Sequence, residues 1–129
     1  MMTLQEQFAA QVPAQEVIQR QLAAYNARDI EALLATYHED AEQNLLHAGP
    51  IATGHAAIRK RMLDRFADQA LHARLVSRTV MDNVVVDHEF VTRTFPDGLE
   101  EVEMICIYEV KFGKIARATF AIGQARPKQ

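Results

Sequence analysis

The stretch "VVVDHEFVTRTFPDGLEEVEMICIYEV", residues 84–110, decides the fold class, because its apolar and polar side chains alternate with the period of two that β-strands have. β-Branched and aromatic residues are frequent in it, and "FPDG" interrupts it where a hairpin turn would reverse the chain. The same alternation runs from Leu71 to Gln124, with further breaks at "MDN" and "KFGK". The sequence therefore predicts a meander of four antiparallel strands.

Three helices are predicted before these strands. The first begins at Pro13, and the second is capped by Asp29 and covers "IEALLATY". A possible strand, "EQNLLHA", and a loop, "GPIATG", then lead to a third helix capped by Thr53 or Gly54. Helices that precede strands indicate an α+β fold, with the helices on one face of a strongly curved, mainly antiparallel sheet that forms a cone with an open mouth.

Length and composition indicate one domain over residues 1–129, with residues 1–12 a possible loose arm. The net charge of -3 argues against nucleic acid, and the cluster Arg59, Lys60, Arg61 and Arg65 is interpreted as a solvated helix face. A single cysteine excludes an intrachain disulfide and favours the cytoplasm. Neither an export signal nor a long apolar run is present, so no membrane association is expected.

Turn chemistry predicts which strand residues face the inside of the cone. If "FPDG" forms a three-residue loop with Gly98 in the left-handed region, Phe95 pairs with Leu99 and His88 lies opposite Cys106. "KFG" interpreted in the same way places Cys106 opposite Ala118, so both hairpins give one apolar inner face. Arg93 would then pair with Glu101 on the outer face. A two-residue turn at "DG" would move every side chain of the strand at residues 84–94 to the other face.

On the three-residue register, Asp87 and Glu89 face outward with Arg93, and His88 faces the pocket. The outer face would also carry Ile105 and Ile107, which predicts a homodimer through the sheet. On the alternative register, Asp87 and Glu89 would form a carboxylate pair inside the pocket.

The segments "VIQRQLAAYNARD", "LLATYHEDA", "ATGHAAIRKRM" and "IYEVKFGKIARATF", at these separations, resemble the nuclear transport factor 2-like superfamily. Within it, the chain is similar to the SnoaL-like and ketosteroid-isomerase-like branches over residues 13–124. The resemblance implies a conical fold with a small-molecule pocket inside. Laid over the isomerase pattern, the chain has Gln21 at the tyrosine of the oxyanion hole, Leu45 at the aspartate base and Cys106 at the aspartic acid. Ketosteroid isomerisation itself is therefore not expected.

Histidine is the remaining candidate for acid-base chemistry. His88 and His47 are predicted to project into the pocket as catalytic groups of an isomerase or cyclase, although either could be a hydrogen-bonded structural histidine. The epoxide hydrolases of the superfamily imply a further arrangement, which Asp87, Arg93 and Glu103 match only loosely. The residues predicted to line the pocket are Gln21, Tyr25, Leu45, Val86, Phe90, Met104, Cys106, Tyr108 and Phe120.

Three functional interpretations follow. The leading one is a domain that binds a small apolar organic ligand in an internal pocket. The second is a cofactor-independent isomerase, cyclase or hydrolase, and the third is a structural dimerisation module with a filled interior. Neither a metal nor a cofactor is expected, because no ligand motif of recognisable spacing is present.

Overall fold

The computed structural model describes residues 1–4 and 12–128. Its helices are α1 (Ala14–Ala27), α2 (Ile30–Ala35) and α3 (His55–Phe66). Its strands are β1 (Tyr37–Leu45), β2 (Gly49–Thr53), β3 (His72–Met81), β4 (Val84–Phe95), β5 (Gly98–Lys111) and β6 (Lys114–Pro127). The predicted α+β class and the four-stranded meander are confirmed. Residues 5–11 of the predicted N-terminal arm lie outside the described part of the chain.

The helix boundaries follow from local chemistry. Asp29 caps α2 as predicted, since its Oδ1 accepts a hydrogen bond of 3.1 Å from the backbone N–H of Ala32. Helix α2 ends earlier than predicted, at Ala35, because the chain turns at Thr36 and enters β1 at Tyr37. The segment predicted as the loop "GPIATG" instead contains the short strand β2, and Gly54 caps α3.

The six strands form one mixed sheet in the order β2-β1-β6-β5-β4-β3. All neighbours are antiparallel except β1 and β6, which are parallel. Helix α1 packs across β3 to β6, and α3 packs against β1 and β2. The helices therefore cover the concave face of the curved sheet, and the space between them and the sheet is where a cavity can form.

The predicted register of the β4–β5 hairpin is wrong by one residue. Phe95 pairs with Gly98 across a two-residue turn, so Asp87 lies opposite Cys106 and His88 lies opposite Ile105. Because side chains alternate along a strand, this slip exchanges the two faces of β4. Asp87 and Glu89 face inward with exposed fractions of 0% and 5%, whereas the His88 side chain is 29% exposed on the outer face.

Two features explain why β4 adopts the register that turns Asp87 and Glu89 inward. Arg78, directly opposite Asp87 on β3, binds both carboxylate oxygens, with Nε–Oδ1 and Nη2–Oδ2 distances of 2.7 and 2.9 Å. Apolar residues also occur on both faces of β4. Val85 and Val91 are buried on the inner face. Phe90 lies on the outer face, where the guanidinium groups of Arg74 and Arg126 stack over its ring. Hydrophobic alternation alone therefore discriminates weakly between the two registers.

The β5–β6 hairpin also has a two-residue turn, with Phe112 and Gly113 both at positive φ. The turn shifts the predicted register by one residue and an irregularity between Glu109 and Val110 shifts it by one more, so Cys106 pairs with Phe120 rather than with Ala118 and the faces are unchanged. The inner face predicted for β5 and β6 is therefore largely correct. The predicted pair of Arg93 and Glu101 does not form, since Arg93 faces inward and Glu101 pairs with Arg74 at 3.5 Å.

The Arg78–Asp87 pair makes the register testable by stability measurements. Asp87→Asn is expected to lower the free energy of unfolding by about 3 kcal/mol, because it leaves the guanidinium without its bidentate anion. His88→Gln breaks only a partly exposed contact with Glu103 and is expected to cost less than about 1 kcal/mol. Urea unfolding followed by circular dichroism compares the two variants. A larger loss for His88→Gln would favour the register with His88 inside.

Candidate functional site

A narrow cavity of about 50 Å³ lies between α1, α3 and the inner face of the sheet. Its lining surface is more apolar than polar, but it includes the charged residues Arg61, Arg65, Glu89 and Arg93 and the amides of Gln21 and Gln43. The lining residues are Gln21, Leu22, Tyr25, Tyr37, Gln43, Arg61, Met62, Arg65, Ala73, Glu89, Val91, Arg93, Met104, Cys106, Tyr108, Phe120 and Ile122.

Glu89 is the carboxyl group of this cavity. It lies on β4 with its side chain facing inward, and its Oε1 accepts a long hydrogen bond of 3.8 Å from Cys106 Sγ. Burial and the neighbouring negative charge of Asp87 raise the pKa of Glu89 to about 7, while Cys106 and Arg78 act in the opposite direction. A carboxyl group with this pKa exists in both protonation states near neutral pH, as a general acid or base requires.

Asp87, two residues before Glu89 on the same face, does not line the cavity. It is engaged by Arg78, which in turn donates from Nη1 to Gln19 Oε1 at 3.0 Å. The pair holds Asp87 in place beneath α1, where its charge acts on Glu89 without competing for a ligand.

Phenol and amide groups line the inner end of the cavity. Arg61 Nη1 donates to Gln43 Oε1 at 2.9 Å, and Gln43 Nε2 donates to the Tyr37 hydroxyl at 3.2 Å. The Tyr108 hydroxyl donates to Gln21 Oε1 at 3.4 Å. Burial raises the pKa of Tyr37 and Tyr108 above the usual range, so both phenols keep their protons and remain hydrogen-bond donors.

Three arginines from two elements line the same cavity. Arg61 and Arg65 are one turn apart on α3, and Arg93 lies near the end of β4. Burial lowers the pKa of both Arg61 and Arg93, and the charge of Arg65 lowers both further. The cavity therefore concentrates positive charge, although all three groups remain charged near neutral pH.

Arg65 and Arg93 also line a surface depression next to the cavity, together with Asp68 and Thr94. These two arginines thus lie at the mouth. The Nε of Arg93 is buried and has no hydrogen-bond partner in the described part of the chain. A buried N–H without an acceptor is uncommon in folded proteins and marks a position where an acceptor is missing.

The model of the SnoaL-like domain family matches residues 18–118 of this sequence. The chain belongs to this family. The resemblance to the nuclear transport factor 2-like superfamily is confirmed, and the curved sheet covered by helices is the fold of that superfamily.

Solved structures of this fold superpose on the SnoaL-like chain over most of its length. A cystatin-fold protein from Novosphingobium aromaticivorans has a TM-score of 0.78 and 23% identity, covering 84% of this chain and 97% of its own. The epoxide hydrolase/cyclase-like enzyme SalBIII, from pyran ring formation in the polyether salinomycin, has a TM-score of 0.77 and 14% identity, covering 86% and 91%.

TerC, co-crystallised with polyporic acid, has a TM-score of 0.72 and 22% identity, covering 84% of this chain and 90% of its own. At these identities the likeness is one of fold alone. No curated protein matches this SnoaL-like sequence.

The structure brings together six of the residues predicted to line the SnoaL-like pocket: Gln21, Tyr25, Met104, Cys106, Tyr108 and Phe120. It does not bring in the other three. Val86 and Phe90 face outward because of the β4 register, and Leu45 is half-buried in the core without lining the cavity.

The two predicted catalytic histidines do not meet in the cavity. His88 lies on the outer face, where its Nε2 is 2.6 Å from Glu103 Oε2. His47 is exposed in the turn between β1 and β2 with a φ of 67°. Their predicted location in one pocket is therefore wrong. The loose epoxide-hydrolase arrangement is not assembled either, since Glu103 faces outward while Asp87 and Arg93 face inward.

Sequence reasoning missed the cavity arginines although a signal was present. Arg61 and Arg65 follow Ile58 by three and seven residues, a spacing that places them beside the buried stripe of α3. The predicted solvated cluster is in fact divided, because Arg59 pairs with Glu31 and Lys60 is exposed. Tyr37 was also missed, since β1 begins earlier than predicted and includes a residue assigned to the second helix. Gln43 lies within the predicted strand but was not among the predicted lining residues.

Among residues 1–4 and 12–128, no group of three or more His, Cys, Asp or Glu residues could hold a metal ion. No helix in this part of the chain is long and apolar enough to cross a membrane.

The raised pKa of Glu89 predicts a specific pH dependence of stability. Between pH 4.5, the ordinary pKa, and about 7, the folded protein holds a proton that the unfolded chain has released, so Glu89 destabilises the fold increasingly as pH rises. Relative to the wild type, Glu89→Gln should therefore gain stability across this range, by up to about 3 kcal/mol. Urea unfolding at several pH values measures the difference. Glu39→Gln is the reference for losing a surface carboxylate, and an equal trend in both variants would contradict a raised pKa.

Proposed function

We propose that this SnoaL-like protein binds a small organic molecule in its inner cavity and catalyses proton transfer on it, with Glu89 as the general acid and base. The observation that carries the proposal is the position of Glu89: a carboxyl group almost fully removed from solvent, lining the cavity and poised between two protonation states at neutral pH. The reaction class that fits is an isomerisation or a cyclisation, the enzyme alternative already raised by the sequence.

In such a reaction Glu89 both accepts the proton that leaves the substrate and returns a proton to the product. The Glu89 carboxylate takes a proton from a carbon next to a carbonyl group, which leaves a protonated Glu89 and an enolate. Returning the proton to another carbon completes an isomerisation. Attack of the enolate carbon on an electrophile in the same molecule completes a cyclisation, and Glu89 then gives its proton to the product.

Hydrogen-bond donors for the enolate oxygen are available at the inner end of the cavity. The Tyr37 hydroxyl accepts a hydrogen bond from Gln43, so within the described part of the chain its own O–H can donate to a ligand. Arg61, held by Gln43, adds a positive charge. Donors positioned in a cavity shielded from water stabilise developing negative charge far more than they would in solution.

Ligand-bound structures of the same fold support the binding part of the proposal. TerC was crystallised with polyporic acid, and a protein with a ketosteroid isomerase-like fold from Catenulispora acidiphila was crystallised with trimethylamine. The ligand proposed here is small and partly polar, in keeping with a narrow cavity whose mainly apolar lining includes charged and amide side chains.

Hydrogen–deuterium exchange tests the proposed proton transfer without knowledge of the product. A panel of small ketones, lactones and keto acids is incubated with the protein in D₂O, and NMR detects deuterium entering positions next to a carbonyl. Glu89→Gln is expected to lower the exchange rate by about 100- to 10,000-fold, because an amide cannot take up the proton. The wild-type rate should rise with pH and level off above about pH 7.

His88→Gln is the matched control, since it changes a polar group of the same strand that faces outward. It should keep wild-type exchange. Loss of exchange in His88→Gln with full activity in Glu89→Gln would instead favour the histidine mechanism, and an absence of enzyme-dependent exchange across the panel would reject proton abstraction by Glu89.

The predicted homodimer remains part of the proposal. Its support is the outer face of the sheet, where Val86, Ile105 and Ile107 lie on the adjacent strands β4 and β5 and are half-buried within one subunit. Contact between these faces in two copies would remove more apolar surface from water. The cytoplasmic location stays a prediction from the single cysteine.

Ile105→Lys is expected to convert the dimer into a monomer, because it places a charge at the centre of the proposed interface. Sedimentation velocity measures the change in mass. Leu63→Lys, at an exposed position of α3, is the control and should remain dimeric. A dimer that survives Ile105→Lys would exclude this face as the interface.

A further inference from the structure

We propose that the ligand of the inner cavity is an organic carboxylate, and that Arg93, with Arg65, receives the carboxylate group at the mouth. The inference rests on the proposed function in one respect only, namely that the cavity is a ligand site. It adds the chemical class of the ligand and the direction in which the ligand lies.

The first support is the pairing of the arginines. Arg20, Arg59, Arg74, Arg78 and Arg117 form ion pairs with carboxylates. The three arginines that line the cavity form none within the described part of the chain. A guanidinium group removed from water is costly unless an anion or several acceptors replace the lost solvent. Burial acts in this way on Arg61 and Arg93, and the half-buried Arg65 lines the same cavity, so the group favours an anionic occupant.

The second support is the buried Nε of Arg93. Its guanidinium carbon lies 5.4 Å from the centre of the Phe95 ring, which restricts the plane of the group without providing an acceptor. A carboxylate that binds side-on accepts from Nε and from a terminal nitrogen at once, the same bidentate geometry that Arg78 makes with Asp87.

The acidic groups near the mouth do not fill this position. Asp68 accepts hydrogen bonds from the backbone N–H and the hydroxyl of Thr94 and from the backbone N–H of Ala70. Asp64 lines the outer depression on α3, and neither Asp64 nor Asp68 forms an ion pair with an arginine in the described residues. Tyr25, the remaining titratable neighbour, has a pKa raised to about 12 by burial and stays neutral.

The position of Glu89 sets the orientation of the ligand. Glu89 and Arg93 are four residues apart on the same face of β4, which separates their Cα atoms by about 13 Å. The ligand carboxylate at the mouth and the reacting carbon near Glu89 would therefore be several bonds apart. This separation also keeps the ligand anion away from Glu89, where like charges would oppose ionisation.

A matched pair of probes tests the charge requirement. Benzoate and benzamide have nearly the same shape and differ in charge, and calorimetry measures the binding of both to the full chain. Benzoate is expected to bind at least about tenfold more tightly than benzamide. Arg93→Gln should weaken benzoate binding by roughly 10- to 100-fold and leave benzamide binding nearly unchanged. Arg126→Gln, which removes an arginine over Phe90 on the outer face, is the matched control and should behave as wild type.

A measurement on the wild-type protein keeps the test independent of any folding defect in the variants. With arginine labelled by ¹⁵N, benzoate should shift the Arg93 Nε–H resonance and slow its exchange with water, whereas benzamide should do neither. Arg93→Lys identifies the resonance by its loss.

The outcomes separate the two proposals. Glu89→Gln should lose deuterium exchange and retain benzoate binding. Benzoate binding by a wild-type protein that shows no exchange would reject the role of Glu89 and leave the carboxylate assignment intact. Equal binding of benzoate and benzamide, including no binding of either, overturns the carboxylate assignment, as does an Arg93 Nε–H resonance that benzoate leaves unmoved. If phenyl phosphate or inorganic phosphate binds at least about tenfold more tightly than benzoate, the cavity is a phosphate site and not a carboxylate site.

Discussion

The pairing of β4 with β5 is the constraint on which the site depends. A two-residue turn after Phe95 sets the register, and the bidentate contact of Arg78 with Asp87 stabilises it from the neighbouring strand β3. Because a strand exposes alternate residues to opposite faces, this single choice directs Asp87, Glu89 and Arg93 inward together. A slip of one residue would fill the cavity wall with Val86, His88 and Phe90 instead and would leave no carboxyl group in it.

The same strand separates the charges of the site into two regions. At the inner part, Glu89 is influenced by Asp87 and by Arg78 behind it, and burial raises its pKa to about 7. At the mouth, Arg93 and Arg65 form no ion pair within the described residues, although the charge of Asp68 acts on Arg93. An arginine directly beside Glu89 would hold its pKa low and make it a poor base, so the distance along β4 keeps the two proposed roles compatible.

Membership in the SnoaL-like family establishes the fold and leaves the chemistry to the side chains of this particular cavity. The positions predicted from the sequence to correspond to the isomerase machinery carry Gln21, Leu45 and Cys106, none of which is a strong acid or base. The ionisable carboxyl group lies instead on the neighbouring strand, with its Oε1 accepting from Cys106. The cone is thus retained, while the carboxyl group that we propose as its acid-base group has a different position within it.

The sequence by itself determined the three helices, the four-stranded meander, the cap at Asp29 and the inner faces of β5 and β6, because these depend on local propensity and on one consistent periodicity. It also identified six residues of the cavity lining. The tertiary structure alone decided the face of β4, since both faces of that strand are similarly apolar and Arg78, which stabilises the observed choice, lies on another strand. It likewise decided that Arg61 and Arg65 join Arg93, because contact between a helix and a strand so far apart in the chain depends on how the whole sheet curves around the helices.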